Sequence, residues 1–239
     1  MKQIFISLLT MISLSAFAQK SAVVNDENAE QRTLSSSFNA ITVSDGVDLY
    51  LTQGDEESIA VSASQPKYME RFKTEVVDGN LKIYFDYKGF SWISGDKRKL
   101  KAYVSFKTLE KLRASSGAAV TMKSTLTVDK LECKFSSGSR FDGQVKIGEL
   151  EMSENSGASV DISGITEKLN VDVNSGAVFK GYDLSADFCD AKASSGGGVR
   201  INVNKELNAK ANSGGGIQYK GDGVIKDLNV NSGGQVKKS

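Results

Sequence analysis

The residues of this chain that could do chemistry fall into three groups. Ser-Gly pairs recur, with the serine at Ser116, Ser137, Ser156, Ser175, Ser195, Ser213 and Ser232. A serine nucleophile needs one hydroxyl and a base to activate it. Seven copies in a chain with no histidine at all read as a structural corner. Two carboxylates, Asp142 and Asp161, stand at the same distance after successive Ser-Gly pairs. A carboxylate pair could serve glycoside hydrolysis or hold Ca²⁺. Lys180 takes the next equivalent place, so these residues read as a solvated face. The third group is "YKGFSWISGDKRK" (Tyr87 to Lys99), which carries Phe90, the only tryptophan (Trp92), Lys97, Arg98 and Lys99. Aromatic faces beside cations suit a glycan or a partner surface, which makes Phe90, Trp92, Lys97 and Arg98 the candidate binding residues. The alternative is that Trp92 packs on a neighbouring strand and the cations are solvated.

The elements that would position these groups follow from one repeat. The serines are spaced 18 to 21 residues apart, and self-similarity at such a period marks a solenoid. Four residues after each serine stand Val120, Phe141, Val160, Phe179, Val199, Ile217 and Val236. Two after it come Ala118, Ser139, Ala158, Ala177, Gly197, Gly215 and Gly234, all small. Two before it come Ala114, Phe135, Glu154, Val173, Ala193, Ala211 and Val230. Even offsets are mostly apolar or small and odd ones mostly polar. This period of two predicts strand, bend, strand in each repeat. Parity places the repeated serine on the inner side of the bend. The expected fold is all-β, a right-handed parallel β-helix-like solenoid over residues 111–239, the hand resting on the crossover rule.

"FNAITVSDGVDLYL" (Phe38 to Leu51) carries the same pattern with Asp45-Gly46 at the bend, and reads as an early coil. The segment 36–110 is otherwise an irregular β region with a long hairpin, placed to cap the solenoid. Asp78-Gly79 within "VVDGNLKIYF" is a hairpin signal, and "QPKYMERFK" suits one helical turn. The start of the chain has the form of a signal peptide: Lys2, an uncharged apolar run, then Ala16-Phe17-Ala18. Residues 1–18 are expected to be cleaved between Ala18 and Gln19, leaving a flexible polar leader over 19–35 and an exported protein of the periplasm, cell surface or exterior.

A net charge of +1 argues against nucleic-acid binding, and no stable membrane insertion or cofactor is expected. Cys133 and Cys189 both fall at inward parity, three coils and thus about 14 Å apart. A disulfide needs Cα atoms within about 7 Å, so two buried free thiols are predicted. The last strand is an open edge beside Lys237 and Lys238, compatible with a monomer or a weak homo-oligomer.

The order of these features, with "FNAITVSDGVDLYLTQG", "LKIYF" and the repeats "SSGAAV", "NSGASV" and "NSGAVF", resembles the head GIN domain family across about residues 36 to 236. That family is described as autotransporter adhesins of Gram-negative bacteria with a β-helix-like fold. The resemblance implies an exported, all-β, non-enzymatic protein. The reading is a binding or adhesion module whose partner is a glycan, a cell-surface polymer or an envelope protein. Its alternatives are a polysaccharide-active β-helix enzyme and a self-assembling structural protein of the envelope.

Overall fold

The computed structural model describes residues 26–89 and 98–239. Its strands, in chain order, begin with β1 (Glu30–Arg32), β2 (Ala40–Val43), β3 (Asp48–Gln53) and β4 (Ser58–Ser62). The single turn α1 (Pro66–Met69) leads to β5 (Phe72–Val77), β6 (Asn80–Phe85) and β7 (Lys101–Phe106). The repeats supply β8 (Lys111–Ala114), β9 (Ala119–Met122), β10 (Leu126–Phe135), β11 (Arg140–Glu154), β12 (Ser159–Val173) and β13 (Val178–Ala193). Then follow β14 (Gly198–Ala211), β15 (Gly216–Lys220), β16 (Val224–Val230) and β17 (Gln235–Lys238).

These strands wind into a parallel β-solenoid of about seven turns. Strands before the bend stack in the order β6, β2, β8, β10, β11, β12, β13, β14, β16. Strands after the bend stack as β7, β3, β9, β11, β12, β13, β14, β15, β17. The coil formed by β2 and β3 therefore lies between the repeats on one side and β6 and β7 on the other. Antiparallel β5 and β4 extend the two faces, and β1 adds to β4. Within residues 19–35, Glu30–Arg32 is thus held on the edge of β4. Asp26 Oδ2 accepts hydrogen bonds from Ser62 Oγ (2.7 Å) and Tyr103 OH (2.9 Å).

The inward face follows the two-residue period. Val120, Phe141, Val160, Phe179, Val199 and Ile217 are all buried, as are Leu131, Leu150, Leu169, Cys189 and Leu207. Fully burying one such side chain stabilises the fold by about 1.5–3 kcal/mol, and stacked coils repeat that gain layer by layer. Both cysteines are buried free thiols. In the coil of β16 and β17 the inward-parity residues Val224, Leu228 and Val230 are 59%, 53% and 43% exposed.

The bends correct one detail of the parity reading. Each repeated serine has φ between 48° and 53°, and each following glycine between 72° and 76°. Two successive left-handed residues make a type I′ turn, closed by bonds such as Ala177 N–H to the Asn174 carbonyl (3.1 Å). This geometry turns the serine outward: Ser116, Ser137 and their equivalents are exposed, and the small residue two places on is buried in every copy but the last, where Gly234 is half-buried. The bends are stitched together by backbone. Gly117 N–H donates to the Ser137 carbonyl (3.0 Å), Gly138 to Ser156, and so on to Gly214 and Ser232. The early coil joins the same ladder, with Gly46 N–H donating to the Ser116 carbonyl (2.9 Å). Asp45 adds what serine cannot, since its carboxylate also accepts the Phe85 N–H (3.3 Å). Gly176 has open space around its would-be Cβ but φ of +72°. Gly176→Ala should therefore cost only the left-handed backbone term, about 1–2 kcal/mol, measurable by chemical denaturation.

Candidate functional site

At the bend position, β2 passes to β3 through four residues, 44–47, whereas β6 passes to β7 through residues 86–100. Because β6 pairs with β2 and β7 with β3, this long connection is an enlarged corner of the solenoid and not the tip of a hairpin. Phe90, Trp92 and Lys97 lie outside the described residues. Arg98 is described and half-buried. Its guanidinium lies over the rings of Phe85 (4.6 Å) and Tyr87 (5.0 Å). It donates to Tyr87 OH (2.6 Å) and to the Asp45 carbonyl (3.3 Å). Arg98 thus clamps the enlarged corner to the first bend, and Tyr87, itself 40% exposed, continues the aromatic surface outward.

Lys99 leads from this corner into a cavity of about 920 Å³, whose lining includes Asp26, Arg32, Ser62, Gln65 and Lys101. Both signs of charge face it. Asp26 is held below the usual carboxylate range, chiefly by the Ser62 hydroxyl. Burial and the Asp26 hydrogen bond push the Tyr103 phenol up. The cavity therefore presents a fixed carboxylate, hydroxyls, an amide and cations, a set suited to a polar, hydroxyl-bearing ligand.

The acidic pair is placed as the spacing predicts and does no more. Asp142 and Asp161 are adjacent in register and exposed, and Lys180 Nζ lies 3.9 Å from Asp161 Oδ2. Among the described residues no group of three or more potential metal ligands converges, and no helix is long and apolar enough to cross a membrane.

A second concavity, of about 850 Å³, runs lengthwise on the side of the solenoid away from the Ser-Gly bends. One outward row in it is Thr127, Lys146, Ile165 and Ser185, in register from coil to coil. The period-two reading did not single these residues out. The available signal was Ile165, an apolar residue at an outward position, which is 52% exposed.

The family model described as "Putative auto-transporter adhesin, head GIN domain" matches residues 37–223. Among solved structures, "a putative adhesin" from Bacteroides fragilis superposes with a TM-score of 0.79 at 18% identity, over 88% of this chain and 96% of that one. "Putative adhesin" from Parabacteroides distasonis gives 0.70 at 18% identity, over 88% and 96%. "Putative lipid binding protein", also from Parabacteroides distasonis, gives 0.65 at 21% identity, over 90% and 98%. At these identities the likeness is one of fold. No curated protein matches the chain.

Proposed function

Since the chain belongs to the head GIN domain family of auto-transporter adhesins, we propose that it is an exported adhesion module, not an enzyme, that binds a glycan or similar cell-surface polymer at the enlarged corner. The signal-like residues 1–18 direct export, with cleavage before Gln19. Phe90, Trp92 and Lys97 supply ligand contacts, and Arg98 holds the corner they belong to. One observation carries the reading: residues 86–100 replace a four-residue bend in a stack of otherwise near-identical bends. In repeat proteins, insertions gather on one face, often the binding face, and functional residues concentrate on loops held by a rigid scaffold. The neighbouring cavity with Asp26, Ser62, Gln65 and Lys101 gives the same ligand hydrogen-bonding partners.

Binding of the mature chain, residues 19–239, to a glycan array should identify ligands. Trp92→Ala should weaken the best of them at least tenfold, a loss of about 1.4 kcal/mol. An array on which Trp92→Ala weakens no ligand at all would remove the corner as a site.

A further inference from the structure

The lengthwise groove is separate from the enlarged corner, and its chemistry is different. We infer that it is a second binding site, for an extended, uncharged, hydroxyl-rich polysaccharide lying parallel to the solenoid axis. Thr127, Lys146, Ile165 and Ser185 form one outward row, a residue from each of four successive coils. Coils stack about 4.8 Å apart, close to the rise of one pyranose along an extended β-linked chain. Each sugar in such a chain meets one coil. Beside it stand Asp129, Gly148, Glu167 and Asp187, each flanked by residues in register, Val128, Ile147, Thr166 and Ala186 before them and Lys130, Glu149, Lys168 and Phe188 after.

Gly148 leaves a gap in the second row, and a Cβ there would come within 2.7 Å of the Asp129 carbonyl oxygen. The floor is buried Ile147 and half-buried Val128, and Ile165 stands up from it half-exposed, an apolar shelf for one face of a sugar ring. The far rim is already organised. Asn204 Nδ2 donates to Ser185 Oγ (2.9 Å) and to Asp187 Oδ1 (3.2 Å), and Lys205 Nζ lies 2.8 Å from Asp187. Side chains fixed beforehand lose little freedom when a ligand arrives.

The lining selects the class of polymer. Lys107 and Lys146 line the groove together with Asp129, Glu167 and Asp187, so neither a polyanion nor a polycation is favoured along its length. Neutral hydroxyls, each donor and acceptor, pair with both signs. An extended peptide is the weaker fit. Strand addition needs a free backbone edge, and β11, β12 and β13 are paired on both sides here.

The test is calorimetric titration of the mature chain with β-1,4-linked glucose and N-acetylglucosamine oligomers of increasing length. Affinity should climb with each unit up to about four sugars, one per coil. Ile165→Arg should weaken the longest oligomer at least tenfold without shifting the thermal midpoint, and Trp92→Ala should leave that binding unchanged. Failure of both series to bind, affinity independent of length, or indifference to Ile165→Arg would each overturn the groove. Binding lost in Trp92→Ala but kept in Ile165→Arg would do the same while leaving the enlarged corner standing.

Discussion

Truncating Phe179 to alanine is expected to lower the unfolding free energy by about 3–5 kcal/mol. The ring is fully buried and sits in register between Val160 on β12 and Val199 on β14, so it fills the centre of the stack where coils lie on both sides. The sequence makes room for it two residues later. A Cβ on Gly181 would stand 2.4 Å from Phe179 Cε1, so the ring lies over the bare backbone of its own strand. Truncation would leave a void bounded by β-sheet on both sides. Ladders that are hydrogen-bonded above and below cannot collapse into it cheaply, which places the cost in the upper part of the range for large-to-small changes. Guanidinium denaturation of the mature chain measures it. A loss below about 1 kcal/mol would mean that this layer is not packed as described.

The reason this residue could be read as core from sequence is that register is rigid near the bend. From six residues before each serine to four after it, the chain runs at constant parity, and Leu169, Val173, Ala177 and Phe179 all point where the count places them. Away from the bend the count drifts. Repeat lengths vary between 18 and 21 residues, and the surplus is absorbed on the far side of the coil. There the ladders shift between Asp161 and Ser163, between Gly181 and Ser185, and between Ala186 and Phe188. The lengthwise groove lies on that side. Thr127, Lys146, Ile165 and Ser185 all stand ten places before the next serine, an even offset that strict alternation would turn inward; they face outward because the corner between them and the buried position six before the serine reverses the parity. The orientation of the serine itself was misread for a related reason. Strict alternation assumes extended backbone, and two successive left-handed residues rotate the side chain out of the alternation. The enlarged corner is legible as chemistry but not as topology, because β6 and β7 pair with β2 and β3, strands that lie 40 and 53 residues earlier in the chain.

Glu154 provides the sharpest test of the inward face, because it is a carboxyl where every other coil has an apolar or small residue. It is 1% exposed, lies in register between Phe135 and Val173, and neither carboxyl oxygen has a hydrogen-bond partner. The buried hydroxyl of the preceding repeat, Ser139 Oγ, is committed to the Ala114 carbonyl and the Ser136 N–H. Among the groups facing it, Cys133 is the titratable one, and its thiol is pushed up mainly by burial and then by Glu154. Burial raises the Glu154 pKa from 4.5 to about 8. Nothing in the structure explains why a carboxyl occupies this layer. Its effect on stability has a definite sign. Below pH 4.5 the group is protonated in both states and makes no difference between them. As pH rises from 4.5 to 8, the unfolded chain releases the proton and the folded one keeps it, so stability falls with pH across that window. Each pKa unit is worth about 1.4 kcal/mol, so the accumulated loss at pH 8 and above is roughly 3–5 kcal/mol. Glu154→Leu, which restores the apolar layer, should recover that amount at pH 8. It should also flatten the decline in stability between pH 5 and pH 8, followed by denaturant midpoints across that range. Glu154→Gln should flatten the same slope with less gain, since its amide remains buried without partners. A wild-type protein whose midpoint is level from pH 5 to pH 8, or a Glu154→Leu variant no more stable at pH 8, would place this side chain outside the core and shift the whole layer with it.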